Sequence, residues 1–339
     1  MSAGEGAATE SVPRRGELTH GHSERRLVAK IVTVMVLWAS CFPLIKVGID
    51  RAPHITFAAL RALLAGTALV GAAAISGRPR PSGGRRWLLL AVAGLGATTL
   101  GFLGMFHAAE FISPGVSTVI ANTQPLLAAA LAYVVLGERI GRTGGSGLAI
   151  GFAGIAVIAA PGFTATDSDN YVLGVAYVLL AALGITVSNV AFKRLAGEVD
   201  ALMAAGAQLL IGAVPLAALA ALTEDPMMVE WSPAFVASLV GLALPGTAVA
   251  YGLWVSVLES TPLNRANAFS FLVPIFGLAI GISFYGEPLS LAVAVGSATV
   301  IGGIAIVHHA ETTGTGITAT HPSALSTCHP SASSTAEDP

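Results

Sequence analysis

Charged residues are scarce in this chain. Only 11% of its 339 residues are Asp, Glu, Lys or Arg, while 54% are hydrophobic. Soluble globular proteins carry about 25% charged residues, so this chain has too little charge to cover the surface of a soluble protein of its size. The high apolar content equally excludes a disordered chain, because disorder requires low hydrophobicity. The composition therefore favours a polytopic membrane protein.

Cysteine is nearly absent, and neither sign of charge dominates. Cys41 lies in an apolar run and Cys328 near the C-terminus, so the two provide no disulfide framework and no metal-ligand spacing. The net charge of −2 gives no basic field of the kind that attracts nucleic acid. We therefore expect no nucleic-acid partner, no metal and no cofactor.

The short motifs of common enzymes are also missing. None of the three lysines follows a glycine, so the chain has no phosphate-binding loop. The His-Glu-x-x-His and Gly-x-Ser-x-Gly patterns are absent, which leaves metalloprotease and serine hydrolase activities without support. The sequence does not predict an enzyme.

Long apolar runs are what the chain does contain. A helix needs about 20 mostly apolar residues to cross the hydrocarbon core. Ten such runs occur, at about 28–48, 54–75, 87–108, 114–136, 143–161, 171–192, 201–222, 234–257, 264–285 and 289–309. None shows the alternating polarity of a membrane β-barrel. The predicted fold class is therefore all-α, with ten transmembrane helices embedded in a lipid bilayer.

The placement of lysine and arginine predicts the orientation of these spans, because cytoplasmic loops are enriched in both residues. With the N-terminus inside, fourteen of the seventeen cations fall on the cytoplasmic side, and only Arg51 lies in an outer loop. We expect both termini in the cytoplasm of a multi-pass inner- or plasma-membrane protein. Residues 1–27 would form an N-terminal tail, and residues 310–339, rich in Ser, Thr, Ala and Pro, a disordered C-terminal tail.

Two halves of the chain resemble each other at a nearly constant offset. The same 149-residue offset relates Gly137-Glu138 to Gly286-Glu287, Glu110 to Glu259, Pro125 to Pro274 and Gly147 to Gly296, and an offset of 147 relates Lys46 to Lys193 and Arg61 to Gln208. We predict two five-helix repeats, 28–161 and 171–309, joined by an outer linker, 162–170. Because five is odd, the second repeat is inverted. Inverted repeats typically build transporters whose substrate site lies near the bilayer midplane.

The chain at this point resembles an EamA-type member of the drug/metabolite transporter superfamily over about residues 28–309. The residues that carry the resemblance are Trp38, Phe42, Lys46, Pro53 and Arg61, then Pro125 and Gly137-Glu138, and in the second half Pro274, Gly286-Glu287 and Gly302-Gly303. The second half departs from the pattern at Gln208 and lacks an equivalent of Trp38. The resemblance implies ten helices around a central cavity and the export or exchange of small metabolites, often amino acids.

Candidate substrate-binding residues are polar or aromatic side chains inside the spans. They are Trp38, Arg61, Asn122, Gln124, Asn189, Gln208, Tyr251, Trp254, Asn267 and Ser270. Arg61 is the one permanent charge well inside a span, and such charges usually face a cavity or a partner. Its forked donors suit a carboxylate or phosphate. The alternatives are that Arg61 locks neighbouring helices, that the other polar residues join helices, and that the aromatics only pack.

Candidate gating residues lie near the ends of the spans and at two prolines. Lys46 with Glu110 would close one mouth and their repeat partners Lys193 and Glu259 the other, while Pro125 and Pro274 would let helices bend. The alternative for the charged residues is that they snorkel at helix ends. His107 lies three residues before Glu110, on one helical face, and is either a proton relay or an interfacial histidine.

We predict a secondary transporter that moves a small polar or amphipathic metabolite by alternating access, as an exporter. No Asp or Glu lies in the middle of a span, so an amino-acid-like or other anionic or zwitterionic substrate is favoured over a cation. Two other classes stay open. A membrane-embedded enzyme acting on lipid or isoprenoid substrates would need clustered acids or histidines, and a non-transporting scaffold would pack dry between its halves. Small-residue stripes such as Gly147-x-x-x-Gly151 leave a homodimer open.

Overall fold

The computed structural model describes residues 15–124, 126–127, 130, 139–160, 168–195, 197–260, 272–286, 289–312 and 317–318. Within that part of the chain almost every residue is helical. The only strands described are two residues long, β1 (Arg139–Ile140) and β2 (Ile317–Thr318), which pair antiparallel with Arg139 opposite Thr318.

The elements of the two halves follow one another in the same order. The first half contains α1 (Arg15–Ala39), α2 (Cys41–Ile49), α3 (His54–Ile75), α4 (Gly84–Ala93), a π-helical segment (Gly94–Leu100), α5 (Gly101–Phe111), α6 (Pro114–Ala121) and α7 (Arg142–Ala159). The second contains α8 (Ser168–Leu195), α9 (Ala201–Thr223), a short 3-10 turn (Pro226–Met228), α10 (Pro233–Ala243), a π-helical segment (Leu244–Val249), α11 (Ala250–Ser260), α12 (Leu272–Tyr285) and α13 (Leu291–Thr312).

Six helical stretches are long and apolar enough to cross a membrane: Arg25–Ile49, His54–Ile75, Gly84–Phe111, Asn170–Phe192, Ala201–Thr223 and Pro233–Trp254. Three shorter apolar helices, Arg142–Ile158, Leu272–Tyr285 and Leu291–Val307, coincide with the fifth, ninth and tenth predicted spans. The fourth predicted span is described mainly in its first part, where it begins as α6. The structure thus confirms a helical protein with several spans, while the count of ten stays a prediction.

Side-chain caps fix where several helices start. The Asp200 side chain accepts a hydrogen bond from Met203 N, 3.0 Å away, at the start of α9. Ser113 and Ser232 cap α6 and α10 in the same way, and each is followed by a proline at the first helical position. These residues satisfy backbone donors that have no partner within their own helix. Short turns between capped helices hold the chain in a closely packed bundle.

The long helices pack in pairs that each contain one helix from either half. The pairs are α3 with α9, α7 with α13, α6 with α12, α5 with α8, and α1 with α11. Glycines allow the closest approaches. Gly147 and Gly154 of α7 lie against Gly303 and Gly296 of α13, and Gly277 of α12 lies against Thr118 of α6. The small-residue stripes seen in the sequence are therefore used for packing within the chain.

Large aromatic side chains fill the centre of the bundle around α3. Phe57 on α3 is fully buried, and its ring centroid lies 5.0 Å from those of Phe106 on α5 and Phe235 on α10. Edge-to-face and tilted contacts at this distance stabilise a core beyond the burial of apolar area. This cluster fixes the mutual positions of α3, α5 and α10, and these are the helices around Arg61.

Arginines and acids join the turns at the end of the bundle that the sequence predicts to be cytoplasmic. Glu198 accepts hydrogen bonds from Arg85 at 2.8 Å and Arg86 at 3.2 Å, and Arg78 lies 3.3 Å from Asp200. The hydrogen bonds from the two arginines lower the pKa of the Glu198 carboxyl group. Solvent screening keeps exposed pairs of this kind weak. These ion pairs align the α3–α4 and α8–α9 turns but contribute little to the stability of the fold.

The α7–α13 crossing yields a test with a matched control. A Cβ atom added at Gly303 would lie 2.6 Å from the Gly151 Cα, whereas one added at Gly302 would meet nothing within 4 Å. We expect Gly303→Ala to force the two helices apart and to lower the free energy of unfolding by about 1–3 kcal/mol. Gly302→Ala should have no such effect. Thermal unfolding of the two purified variants in the same detergent measures the difference, and equal melting temperatures would contradict the crossing.

Candidate functional site

Arg61 is buried in the middle of α3, with only 5% of its surface exposed. Its guanidinium carbon lies 4.3 Å from the centroid of the Phe102 ring, and its Nε and Nη2 atoms donate to Thr247 Oγ1 at 3.3 and 3.2 Å. Nη2 also lies 3.6 Å from Cys41 Sγ. Nη1 is buried without a hydrogen-bond partner. Among the described residues no carboxylate pairs with this cation.

Thr247 holds Arg61 from the π-helical segment Leu244–Val249. Its hydroxyl accepts from two guanidinium nitrogens and donates to Leu242 O at 2.8 Å. A hydroxyl has one donor and two acceptor positions, so the hydrogen-bonding capacity of Thr247 is used completely. The donated bond runs five residues back, as the wider π-helical turn permits. Such segments often occur at functional sites.

The equivalent place in the other half is occupied by Gln208 on α9. This side chain is 1% exposed, and its Oε1 accepts a hydrogen bond from Thr98 Oγ1 at 2.9 Å. Gln208 Nε2 is buried without a partner. Thr98 lies in the first π-helical segment, Gly94–Leu100. Each half thus contributes one deep polar side chain, and a threonine from the opposite half holds it.

Thr98 and Thr247 were not among the residues predicted from the sequence. The sequence repeat could have identified both threonines, because they are separated by 149 residues, the offset that relates other paired positions of the two halves. Threonine in an apolar span attracts little attention, since its hydroxyl can bond to its own helix. Only the packing of α3 against the second π-helical segment and of the first π-helical segment against α9 shows that these hydroxyls contact other spans.

Three predicted aromatic residues form a cluster between α1 and α11. The Trp38 ring centroid lies 5.4 Å from that of Trp254 and 6.4 Å from that of Tyr251. All three side chains are partly exposed. Tyr251 also packs against the core that contains Cys41 and Phe102, the neighbours of Arg61. Tyr251 is therefore the member of the aromatic cluster that joins it to the surroundings of Arg61.

The other predicted substrate contacts do not contact Arg61 in the described part. Asn122 Nδ2 donates to Thr118 O at 2.8 Å and Gln124 Nε2 to Ala121 O at 3.2 Å, both within their own helical turn. Asn189 is exposed on the surface of α8. Asn267 and Ser270 lie outside the described residues. A binding role for these five residues stays a prediction.

The gating residues at the predicted outer mouth have partners other than those expected. Lys46 Nζ donates to Ala109 O at 2.9 Å, and Glu110 pairs with His54 Nδ1 at 2.8 Å. Lys46 and Glu110 thus lie at the same mouth but do not bond to each other in this conformation.

The remaining gating residues are described only in part. The side chains of Lys193 and Glu259 lie outside the described part, as does Pro125. Pro274 is buried near the start of the described part of α12. The gating roles stay predictions.

Two clefts in the described part are apolar. One, of about 210 Å³, opens between α1 and α12 and is lined by Val36, Phe276, Ala279, Ile280, Ser283 and Phe284. A narrow second cleft lies between α2 and the α5–α6 turn, around Ile45, Ala109 and Ser117. Neither is lined by Arg61 or Asn122. No group of His, Cys, Asp or Glu within the residues searched is arranged to hold a metal ion. Within the described residues Arg61 is buried and lines neither of these two clefts.

The two threonines lend themselves to a paired test of stability. Thr247→Val leaves a buried cation without two hydrogen bonds, whereas Thr98→Val leaves a neutral amide without one. Hydrogen bonds to charged groups contribute about 1.5–3 kcal/mol and neutral ones about 0.5–1.5 kcal/mol. We expect Thr247→Val to lower the melting temperature of the purified protein more than Thr98→Val. The reverse order would show that Arg61 finds other partners in the bundle.

The sequence model of the family described as "EamA-like transporter family" matches the chain twice, at residues 26–160 and 172–308. The chain is 29% identical to a WAT1-related chloroplastic protein of Arabidopsis thaliana, over 83% of this chain and 69% of that protein. It is 27% identical to the uncharacterized transporter YvbV of Bacillus subtilis, over 84% and 92% of the two chains. It is 30% identical to a probable terminal-alkyne amino-acid exporter of Streptantibioticus cattleyicolor, over 84% and 93%.

The fold is also similar to a solved crystal structure. That similarity has a TM-score of 0.59 at 21% sequence identity and covers 83% of this chain and 96% of the other. At this identity the comparison establishes a shared arrangement of helices.

Proposed function

This chain belongs to the EamA-like transporter family, and from that premise we propose that it exports a small zwitterionic or anionic metabolite from the cell by alternating access. The family and the apolar helices make it a multi-pass membrane protein. In the proposal it is a secondary transporter of the inner or plasma membrane, with both termini in the cytoplasm. Amino acids and related carboxylates are the favoured substrates.

The observation that carries the proposal is the incomplete bonding of Arg61. A cation taken out of water is costly unless it is paired, and truly structural buried arginines are usually paired with acids. Here Nη1 is buried and unbonded, and a ring face and a hydroxyl are the main partners of the group. A substrate carboxylate would supply the missing negative charge and accept a short, charge-assisted hydrogen bond.

The aromatic cluster supports a substrate that also carries a positive group. Tyr251 packs against the core that contains the neighbours of Arg61, and the Trp38 and Trp254 rings extend the cluster from there. The faces of such rings attract an ammonium group by about 0.5–2 kcal/mol. A carboxylate bound at Arg61 and an ammonium over the rings together describe an α-amino acid. The printed name of the Streptantibioticus relative, an amino-acid exporter, agrees with this substrate class.

Inverted repeats are the second part of the proposal. Each helix of one half corresponds to a helix of the other. When every helix is replaced by its counterpart, the pairs α3–α9, α7–α13 and α6–α12 are unchanged, and the pair α5–α8 becomes the pair α1–α11. The two π-helical segments, the two Gly–Gly approaches between α7 and α13, and the two threonine contacts correspond in the same way. The two separate family matches also support this arrangement. Two inverted halves can exchange conformations and so open alternately to either side.

Transport by the purified protein tests this function. We would reconstitute the full chain in liposomes loaded with one unlabelled amino acid or carboxylate at a time and follow entry of the same labelled compound. At least one of them should be exchanged. Arg61→Gln should lower that rate at least about tenfold, because a charge-assisted hydrogen bond contributes about 1.5–3 kcal/mol.

Two features keep the Arg61 test specific. Glutamine is chosen because Gln208 already bonds to a threonine at the equivalent place, so the variant has a partner in Thr247. Arg51→Gln, which alters an arginine at the predicted outer end that bonds to Val47 O, is the matched control and should leave exchange within about twofold. Exchange of no compound, or equal rates for Arg61→Gln and the unaltered protein, would refute the proposal.

The gates predicted from the sequence belong to the same proposal. Lys46 and Glu110 would close one mouth, and Lys193 and Glu259 the other. Helix bending near Pro125 and Pro274 would accompany opening. Lys46→Glu and Glu110→Lys should each slow exchange, because each places like charges at the closing mouth. The doubly exchanged variant should recover exchange in the liposome assay. A double variant as slow as either single variant would rule out this gate.

A further inference from the structure

Four titratable side chains meet where the predicted outer ends of α3, α5 and α9 converge. We call His54, His107, Glu110 and Glu224 the mouth cluster. His54 Nδ1 lies 2.8 Å from Glu110 Oε1, and His54 Nε2 lies 3.2 Å from His107 Nε2 and 3.6 Å from Glu224 Oε1. The two imidazole rings are nearly perpendicular, with centroids 4.0 Å apart. Nothing in the proposed function uses His54, His107 or Glu224.

The Glu224 side chain is held in place by the start of α3. It follows the last residue of α9 and accepts hydrogen bonds from Ile55 N at 2.9 Å and from Thr56 N and Oγ1 at 2.7 and 2.8 Å. These backbone donors have no partner within their own helix. The side chain is only 9% exposed. The second half of the chain thus places an acidic side chain beside His54.

The distances restrict how many protons the two histidines can hold. His54 Nδ1 must carry a hydrogen to bond the Glu110 carboxylate. Two nitrogens 3.2 Å apart share one hydrogen, so one of the two Nε2 atoms donates and the other accepts. His107 Nδ1, which is buried without a partner, is the fourth ring nitrogen of the pair and the remaining place for a hydrogen. The closed geometry therefore accommodates one excess proton on the pair, because both Nε2 atoms cannot carry hydrogens at this separation.

The groups around the two rings oppose a second excess proton. His54 lies between the side chains of Glu110 and Glu224. His107 has no carboxylate within bonding distance and packs against the Tyr177 ring of α8, with centroids 4.8 Å apart. Lys46 on α2, bonded to Ala109 O, adds a cation nearby. A second proton would create two adjacent imidazolium groups beside this lysine, so it must drive α5 away from α3.

We propose that the mouth cluster is a proton-binding site that controls the opening of the outer mouth. With no more than one excess proton on the two histidines it holds α3, α5 and α9 together, and with a second excess proton, taken up from acidic medium, the histidines repel and the mouth opens. Glu110, whose side chain is 40% exposed, is the entry point for protons, and His107 is the inner end. This inference rests on the proposed function, since a proton can control only a mouth that opens.

The site is coupled to Arg61 through two helices. His54 and Arg61 are seven residues apart on α3, two turns and therefore the same face. His107 follows Phe106, whose ring centroid lies 5.9 Å from the Arg61 guanidinium carbon. Any movement of the end of α5 that separates His107 from His54 must also move the aromatic rings that cover Arg61. Acid outside the cell would thus expose the substrate site to the outside.

Distance measurement by pulsed EPR tests the site without a substrate. Spin labels would be attached to Ser113→Cys, in the α5–α6 turn, and Met227→Cys, in the loop after α9, with Cys41→Ser and Cys328→Ser removing the native thiols. In lipid nanodiscs, the fraction of molecules with the longer distance should rise about tenfold from pH 8 to pH 5, since histidine titrates within that range. His54→Gln keeps a donor for Glu110 but does not titrate, and it should abolish the rise.

His107→Gln is the second variant and should also give a distance distribution that does not change with pH. Glu230→Gln, an exposed carboxylate at the same end of the bundle, is the matched control and should respond as the parent does. A parent protein whose distances do not change with pH, or a rise that persists in both histidine variants, would overturn the proton site. A protein that transports but shows no pH response loses only this inference. A pH response without exchange of any compound counts against the proposed function alone.

Discussion

Arg61, a buried cation that no carboxylate among the described residues pairs with, is the constraint around which this bundle is organised. Arg61 is enclosed by the face of Phe102, the hydroxyl of Thr247 and the thiol of Cys41, and one of its nitrogens has no partner. Removing a guanidinium group from water is expensive, so these contacts must be held in place by rigid surroundings. The fully buried aromatic core around α3 provides that rigidity. The apolar packing is therefore part of the site and not only of the fold.

Much of the fold follows from the sequence, because a lipid environment leaves few choices. Continuous apolar stretches must become helices, since every backbone group has to be bonded internally. Gly147 and Gly296, two of the glycines identified by the repeat, lie where α7 and α13 approach closely. Glycine lets the helices approach at both places, which is why it recurs at the same offset in the two halves. The sequence did not reveal the π-helical segments, because a widened turn depends on the packing of neighbouring helices. It also did not reveal that Ser40 separates α1 from α2 within one span.

The sequence singles out candidate-site residues whose side chains are rare in apolar spans. It distinguishes less well among the polar residues that are common there. Arg61 and Trp38 stand out in an apolar run, and the structure places both near the centre of a polar or aromatic cluster. Asn122 and Gln124 looked equally suitable, yet they bond to carbonyls one turn away, which no spacing rule distinguishes from a binding role. His54 is the first residue of a predicted span and Glu224 lies in a loop, so only the convergence of three helices brings His54 to His107 and Glu224 to His54.

The reciprocal threonine contacts have an energetic consequence for the proposed alternating-access cycle. If the two halves were identical throughout, the inward-facing and outward-facing forms of the empty carrier would have equal energies and equal populations. Arginine at one position and glutamine at its repeat partner are one difference that removes this equality and favours one form at rest. Unequal resting populations change how tightly each face of the membrane captures its cargo. They cannot drive net flux, because detailed balance assigns that to the concentration gradients alone.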